Sequence, residues 1–135
     1  MTYLVDSTIY IDLLRARRDP VRVLEPWIAR EEVLATGVVR CEVLRGIVNG
    51  RIHRRIKDLF DVLPTVRTDA PTWNRTAELA WRLDRSGVVL PMTDLLIASC
   101  ALRVEAAVVS TDRHFARVPG LKVLRALPAG LETAE

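Results

Sequence analysis

Residues 3–15 have the sequence YLVDSTIYIDLLR, in which a short apolar run ends at an acidic residue. The run from Tyr3 to Val5 is typical of a short buried strand, and apolar residues then recur at helical spacing from Ile9 to Arg17. A strand, a turn at Asp6 and a helix are therefore predicted in immediate succession.

The same alternation continues along the chain. Further strands are predicted at 33–36, 62–66, 107–109 and 121–124. Pro64 indicates that the second of these is short or lies at an edge. Helices are predicted at 21–30, 38–48, 51–61, 70–85 and 93–104, and a tight turn or short helix at 111–115. This order predicts a three-layer α/β fold, with a parallel sheet of four to five strands flanked by helices on both faces.

The composition is that of an ordinary globular protein. Half of the 135 residues are hydrophobic, and no Gly-rich or Pro-rich stretch divides them, so a single domain over 1–135 is expected. No apolar run approaches the roughly 20 residues that span a bilayer, so we expect a soluble, cytoplasmic protein with no membrane partner. Cys41 and Cys100 are far apart and lack a CxxC pattern, which favours two buried free thiols.

Arginine dominates the basic residues. It accounts for 18 of the 20, and the formal net charge is +3. The planar guanidinium binds phosphates well, so a nucleic-acid partner is compatible with this composition. A solvated charged face is the commoner use of such residues, and the composition leaves both interpretations open.

Four acids fall where the predicted topology brings residues to one edge of the sheet. Asp6 and Asp112 each follow a predicted strand, and the carboxyl ends of parallel strands meet at one edge. Glu42 and Asp94 lie near the starts of helices that the topology places at that edge. Each acid also has a simpler interpretation, because the aspartates can cap helices and Glu42 can lie on a solvated face near Arg45. Their convergence is what favours a common site.

The chemistry of a carboxylate cluster favours a hard cation. Mg²⁺ prefers carboxylates and water, and Mn²⁺ is a possible substitute. One or two such ions can activate a water and neutralise charge on a scissile phosphate. The acids therefore predict metal-dependent hydrolysis of a phosphodiester.

Four segments, taken in order and spacing, resemble the PIN-domain nucleases and most closely the VapC toxins of bacterial toxin–antitoxin pairs. They are YLVDSTIYIDLLR at 3–15, VVRCEVLRG at 38–46, PMTDLLIASCAL at 91–102 and STDRHF at 110–115. The resemblance covers nearly the whole chain. It implies a five-stranded parallel sheet, Mg²⁺- or Mn²⁺-dependent endonuclease activity on RNA, and inhibition by a cognate VapB-type antitoxin. A homodimer is also expected.

The resemblance also assigns residues. The three main acids of the family match Asp6, Glu42 and Asp94, and its less constant fourth matches Asp112. Ser110 stands where a Thr or Ser often supports that fourth acid.

Two positions depart from the family pattern. The family often has Asn or Ser where this chain has Thr8, and an acid where it has His114. These departures affect the contacts around the predicted ligands more than the ligands themselves. Asp12, on the same helix as Thr8, is expected to be an exposed charge.

The pattern also bears on three other functions. A dinucleotide-binding enzyme is disfavoured because no GxGxxG opens a helix. A phosphorylation receiver is disfavoured because no Asp ends the third strand and neither Lys57 nor Lys122 is well placed. A catalytically silent module that binds RNA or an antitoxin without turnover stays open, and measured cleavage would distinguish it. The sequence does not identify the RNA, the antitoxin or the number of metal ions.

Overall fold

The computed structural model describes residues 1–127. Its elements, in chain order, are β1 (Thr2–Val5), α1 (Ser7–Arg15), α2 (Pro20–Ile28), β2 (Glu32–Leu34), α3 (Gly37–Arg45), α4 (Gly50–Val62), α5 (Ala70–Arg85), α6 (Met92–Arg103), β3 (Ala107–Val109), a 3-10 helix (Arg113–Arg117) and β4 (Val123–Leu124). The predicted α/β fold is confirmed, with each predicted helix present to within a few residues.

The described residues form a four-stranded parallel sheet in the order β2-β1-β3-β4. In its register, Leu4 of β1 lies opposite Leu34 of β2 on one side and Val108 of β3 on the other. Successive residues of β1 and β3 are fully buried although their side chains point to opposite faces of the sheet. Both faces are therefore covered, as a parallel sheet requires.

The predicted strand at 62–66 is wrong. Val62 belongs to α4, and the rest of the segment makes only an isolated bridge between Thr65 and Ala35. The amide of Ala35 donates to the carbonyl of Pro64 over 2.9 Å, and the amide of Val66 donates to the carbonyl of Ala35 over 2.9 Å. Pro64 has no N–H to extend this pairing, so the fifth strand that the resemblance implied is reduced to one bridge among the described residues.

Helix α6 is buried as its sequence predicts. The seven consecutive residues from Leu95 to Ala101 are all buried, and the helix packs against α5, β3 and the 3-10 helix. Its first turn begins after Pro91 and reaches the edge of the sheet where β1 and β3 end.

The prediction of two buried thiols is half wrong. Cys100 is buried in α6, whereas Cys41 is exposed on α3.

Within residues 1–127, no helix has the length and apolar character needed to cross a membrane.

Candidate metal centre

Asp6 lies at the carboxyl end of the central strand. It follows Val5, which pairs with Val109, and its amide donates to the carbonyl of Val109 over 2.9 Å. The residue is 3% exposed. It occupies the N-cap position of α1, but its side chain makes no cap hydrogen bond, so the interpretation that its carboxyl group caps the helix is wrong. Its buried carboxyl group is thus available to contacts outside its own helix.

Two hydroxyl groups hold the carboxyl group of Asp6. Ser110, which follows β3, donates to Oδ2 over 2.7 Å, and Thr8 donates to the same oxygen over 3.1 Å. The two hydroxyl oxygens are themselves 3.1 Å apart. Both hydrogen bonds fall on Oδ2, and Oδ1 takes part in neither. The side chain of Asp6 is therefore fixed in one orientation by residues from two neighbouring segments.

The same two hydroxyl groups organise the chain that follows β3. The amide of Asp112 donates to Ser110 Oγ over 3.0 Å, and the amide of Thr111 donates to Thr8 Oγ1 over 3.1 Å. The sequence associated Ser110 with the fourth acid, and in the structure it contacts both that acid's amide and Asp6. Thr8, treated as a departure from the family pattern, makes the corresponding contacts from α1.

Asp94, Asp112 and His114 form a compact cluster beside this network. One possible ligand atom from each lies within 4.8 Å of the others. Nδ1 of His114 lies 2.6 Å from Asp94 Oδ2 and 3.2 Å from Asp112 Oδ1. The side chain of Asp94 is 14% exposed, and those of Asp112 and His114 are 31% and 43% exposed.

The helix-cap interpretation is wrong for Asp94 and correct for Asp112. Asp94 lies in the first turn of α6, but the N-cap position is Pro91 and no side chain caps the helix. Asp112 does cap the 3-10 helix, because its Oδ1 accepts from the amide of His114 over 2.9 Å. A cap and a place in the cluster are compatible for Asp112.

Asp94 is surrounded by like charges. Burial raises the pKa of its carboxyl group, the hydrogen bond with His114 lowers it, and the charges of Asp112 and Asp6 raise it further. The net effect is an upward shift, which means that the surroundings disfavour the ionised form in the metal-free protein.

Glu42 faces this cluster from α3. It is partly buried, and its pKa is raised by burial and by the charges of Asp6 and Asp94, while a hydrogen bond from Ser7 and the charge of Arg45 lower it. The expectation of a solvated face was therefore wrong. The helical wheel of α3 alone could not show this, because α1, which packs against α3, carries Ser7.

The donor set fits a divalent cation. Asp94 is repelled by Asp6 and Asp112, and Glu42 is repelled by Asp6 and Asp94. An ion of charge +2 would remove that repulsion. The imidazole of His114, at a position where the family often has an acid, lies beside this all-oxygen set. Asp12 lies at the rim, where its exposed carboxyl group accepts from Thr111 Oγ1 over 3.4 Å. Metal ligation by any of these residues stays a prediction.

The chain is similar to one known protein family and to several solved structures. The family model described as the PIN domain matches residues 3–121. No curated protein matches the chain. Similar solved structures include VapBC2 from Rickettsia felis bound to a DNA fragment from their promoter, with a TM-score of 0.75 and 23% identity over 91% of this chain and 97% of that chain.

Two further structures show the same likeness. VapBC-1 from nontypeable Haemophilus influenzae has a TM-score of 0.73 and 21% identity over 91% of this chain and 96% of that chain. DNA-bound VapBC from Salmonella typhimurium has a TM-score of 0.74 and 18% identity over 91% and 96%. At these identities the likeness is one of fold. Because the family model extends over most of the chain and the fold agrees with it, the chain belongs to the PIN domain family.

Proposed function

We propose that this PIN domain is a metal-dependent endoribonuclease and acts as the toxin of a VapBC-type toxin–antitoxin pair. The observation that carries the proposal is the meeting of acids from four segments at one edge of the sheet. The charge of Asp6 raises the pKa of Asp94, and the charge of Asp94 raises the pKa of Glu42. A carboxylate oxygen of Asp112 lies within 4.8 Å of one of Asp94. Such crowding is costly unless a cation is bound.

Asp6, Glu42, Asp94 and Asp112 would hold the cation, either Mg²⁺ or Mn²⁺. When bound, the ion supplies positive charge for the scissile phosphate and a water of lowered pKa. The hydrogen bond from Ser110 keeps the carboxyl group of Asp6 in one orientation, so that it would meet the ion without rearrangement. Glu42, whose charge interacts with those of Asp6 and Asp94, would complete the ligand set from α3.

RNA is the proposed substrate. The acids alone would repel a polyanion, and the arginine-rich composition supplies compensating positive charge. RNA cleavage is distinguished from DNA cleavage by offering both substrates with the same sequence.

A VapB-type antitoxin is the proposed partner, and self-association as a homodimer is proposed with it. The similar structures named above are of VapBC proteins, two of them bound to DNA. We extend the partner from those proteins to this chain because the shared fold covers nine-tenths of it.

The test is expression of the chain alone and with the product of the neighbouring reading frame. We expect growth arrest in the first case, relief in the second, and cleavage of RNA by the purified chain that stops on chelation of divalent ions. Asp6→Asn should abolish cleavage, whereas Asp84→Asn, which alters an exposed acid in the last turn of α5, should not. Cleavage that survives exhaustive chelation, or that Asp6→Asn leaves intact, would refute the proposal.

A silent binding module is the alternative outcome of this test. It predicts that the folded chain binds RNA or the partner and cleaves nothing, with any divalent ion supplied. Sequence-specific cleavage above the level of the Asp6→Asn variant would exclude it.

A further inference from the structure

We propose that His114 contributes a ring nitrogen to the metal centre, so that the centre selects a first-row transition ion, represented here by Mn²⁺, over Mg²⁺. The inference rests on the proposed function only in taking the acidic cluster as the cation site. It does not depend on which nucleic acid, if any, is cleaved.

The first argument is geometric. Two carboxylate oxygens converge on one nitrogen, Nδ1 of His114, at 2.6 Å from Asp94 and 3.2 Å from Asp112. Ligand atoms at adjacent corners of an octahedron lie about 3.0 Å apart when each is about 2.1 Å from the ion. The two measured separations lie on either side of that value. Small movements would therefore let all three atoms share one cation.

Hydrogen bonds hold this arrangement in the metal-free protein. At 2.6 Å from Asp94, Nδ1 shares a hydrogen with the carboxyl group, and Asp112 Oδ1 is held near the ring by the amide of His114, which donates to it over 2.9 Å. Metal binding requires the deprotonated form of a ligand, so an ion would replace the hydrogen at Nδ1 and contact the nitrogen and both oxygens.

The second argument is chemical. A neutral imidazole with its hydrogen on Nε2 presents a lone pair at Nδ1. Nitrogen donors favour first-row transition ions, whereas Mg²⁺ prefers carboxylates and retains water. One imidazole among carboxylates therefore shifts the preference of the centre away from Mg²⁺, which the acids alone would favour.

Two other roles for His114 give different results when the residue is replaced. As a positioning residue, it would orient Asp94 by donating from Nδ1 without touching the ion. As a protonated stand-in for the ion, it would occupy the centre in the metal-free protein and compete with any cation.

The experiment compares binding of Mn²⁺ and of Mg²⁺, each alone, to the purified chain by titration calorimetry. The variants are His114→Asn and His114→Ala. Asparagine keeps a hydrogen-bond donor close to the position of Nδ1 and offers an oxygen, but it has no imidazole lone pair. Melting curves of both metal-free variants show that the fold is retained.

We expect the wild type to bind Mn²⁺ more tightly than Mg²⁺. In His114→Asn, Mn²⁺ affinity should fall by about tenfold or more, the scale on which changes around a metal act, while Mg²⁺ affinity changes by less than about threefold. Pulsed electron paramagnetic resonance of the Mn²⁺-bound wild type should show coupling to a nitrogen, and the coupling should be lost in both variants.

Three results would overturn the inference. Recovery of Mn²⁺ affinity in His114→Asn but not in His114→Ala would make His114 a positioning residue. Tighter binding of both ions to His114→Ala would make it a competitor of the ion. Absence of nitrogen coupling in the wild type would exclude direct ligation.

The inference and the proposed function fail separately. A chain that shows nitrogen coupling but cleaves no RNA keeps the ligand assignment and loses the nuclease. A chain that cleaves RNA with Mg²⁺ as well as with Mn²⁺ and shows no coupling keeps the nuclease and loses the ligand assignment.

Discussion

Replacement of Asp94 by Asn removes one charge from the acidic cluster and keeps the shape of the side chain. The carboxyl group is 14% exposed, and its pKa is raised by burial and by the charges of Asp112 and Asp6 against the opposing hydrogen bond of His114. The helix loses no cap, because Asp94 is not the N-cap residue. Any effect on the metal-free protein therefore comes from electrostatics.

In the metal-free protein, the stabilising and destabilising effects of Asp94→Asn on the free energy of unfolding nearly cancel. Two charges 4.8 Å apart, the outer bound for Asp94 and Asp112, repel by about 3.5 kcal/mol at an effective dielectric constant of about 20. Solvent at Asp112, which is 31% exposed, reduces this to about 1–2 kcal/mol. Against this gain, the variant loses about 0.3–1 kcal/mol of interaction with the helix dipole and about 1 kcal/mol of the charged hydrogen bond to His114. The free energy of unfolding should change by less than about 1 kcal/mol.

The metal response should differ much more. An ion at 100 times its dissociation constant stabilises the wild type by about 2.7 kcal/mol, which is about 8 °C in Tm for a domain of this size. If the variant binds the ion about 100-fold more weakly, the same concentration adds about 0.4 kcal/mol, or about 1 °C.

The assay is thermal unfolding of both proteins with chelator and with Mn²⁺, with Asp84→Asn as the control for loss of an exposed acid. A variant of Asp94 that keeps the wild-type metal shift would remove Asp94 from the centre. Loss of more than about 3 kcal/mol without metal would show instead that the carboxyl group is needed for the fold.

Three further perturbations test other parts of the structure. Ser110→Ala removes the 2.7 Å hydrogen bond to Asp6, so Mn²⁺ affinity measured by calorimetry should fall by about 10- to 100-fold; unchanged affinity would contradict the positioning role. The raised pKa values of Asp94 and Glu42 mean that the folded protein binds more protons than the unfolded chain, so metal-free stability should fall as pH rises from the ordinary carboxyl pKa of 3.8–4.5 through the raised values. The melting temperature of the wild type in chelator is measured from pH 4.5 upward, and that of Asp94→Asn is subtracted at each pH. A difference that stays flat or rises with pH would refute the prediction. Tyr10→Phe removes a buried hydroxyl group with no partner among the described residues, so chemical denaturation should show unchanged or higher stability, by up to about 1–3 kcal/mol.

The order of the elements could be predicted because the signals for them are local. Helix α6 shows this most clearly, since a long apolar stretch predicted 93–104 and the helix occupies Met92–Arg103. The predicted strand at 62–66 failed because three apolar residues do not compensate for a proline that cannot donate a ladder hydrogen bond.

The candidate site was predictable only as far as topology allowed. The carboxyl ends of parallel strands lie at one edge of the sheet, so topology alone places Asp6 and Asp112 there without side-chain information. The orientation of Glu42 depends on how α3 packs against α1. The contact between His114 and Asp94 joins residues 20 positions apart, and neither local pattern indicates it. Packing between elements, which no single segment encodes, supplied both.

The pairing of β1 with β3 also determines when the proposed metal centre can assemble during synthesis. Strand β1, with Asp6 at its end, is among the first segments made, whereas β3 and Ser110 follow about a hundred residues later. Until β3 pairs beside β1, Asp6 lacks the hydroxyl group of Ser110, and Asp94 lacks Asp112 and His114 as neighbours. An incomplete chain that carries Asp6 and Glu42 therefore has acids but no assembled centre. The proposed metal centre is therefore complete only after β3 has joined the sheet, when most of the chain has already been made.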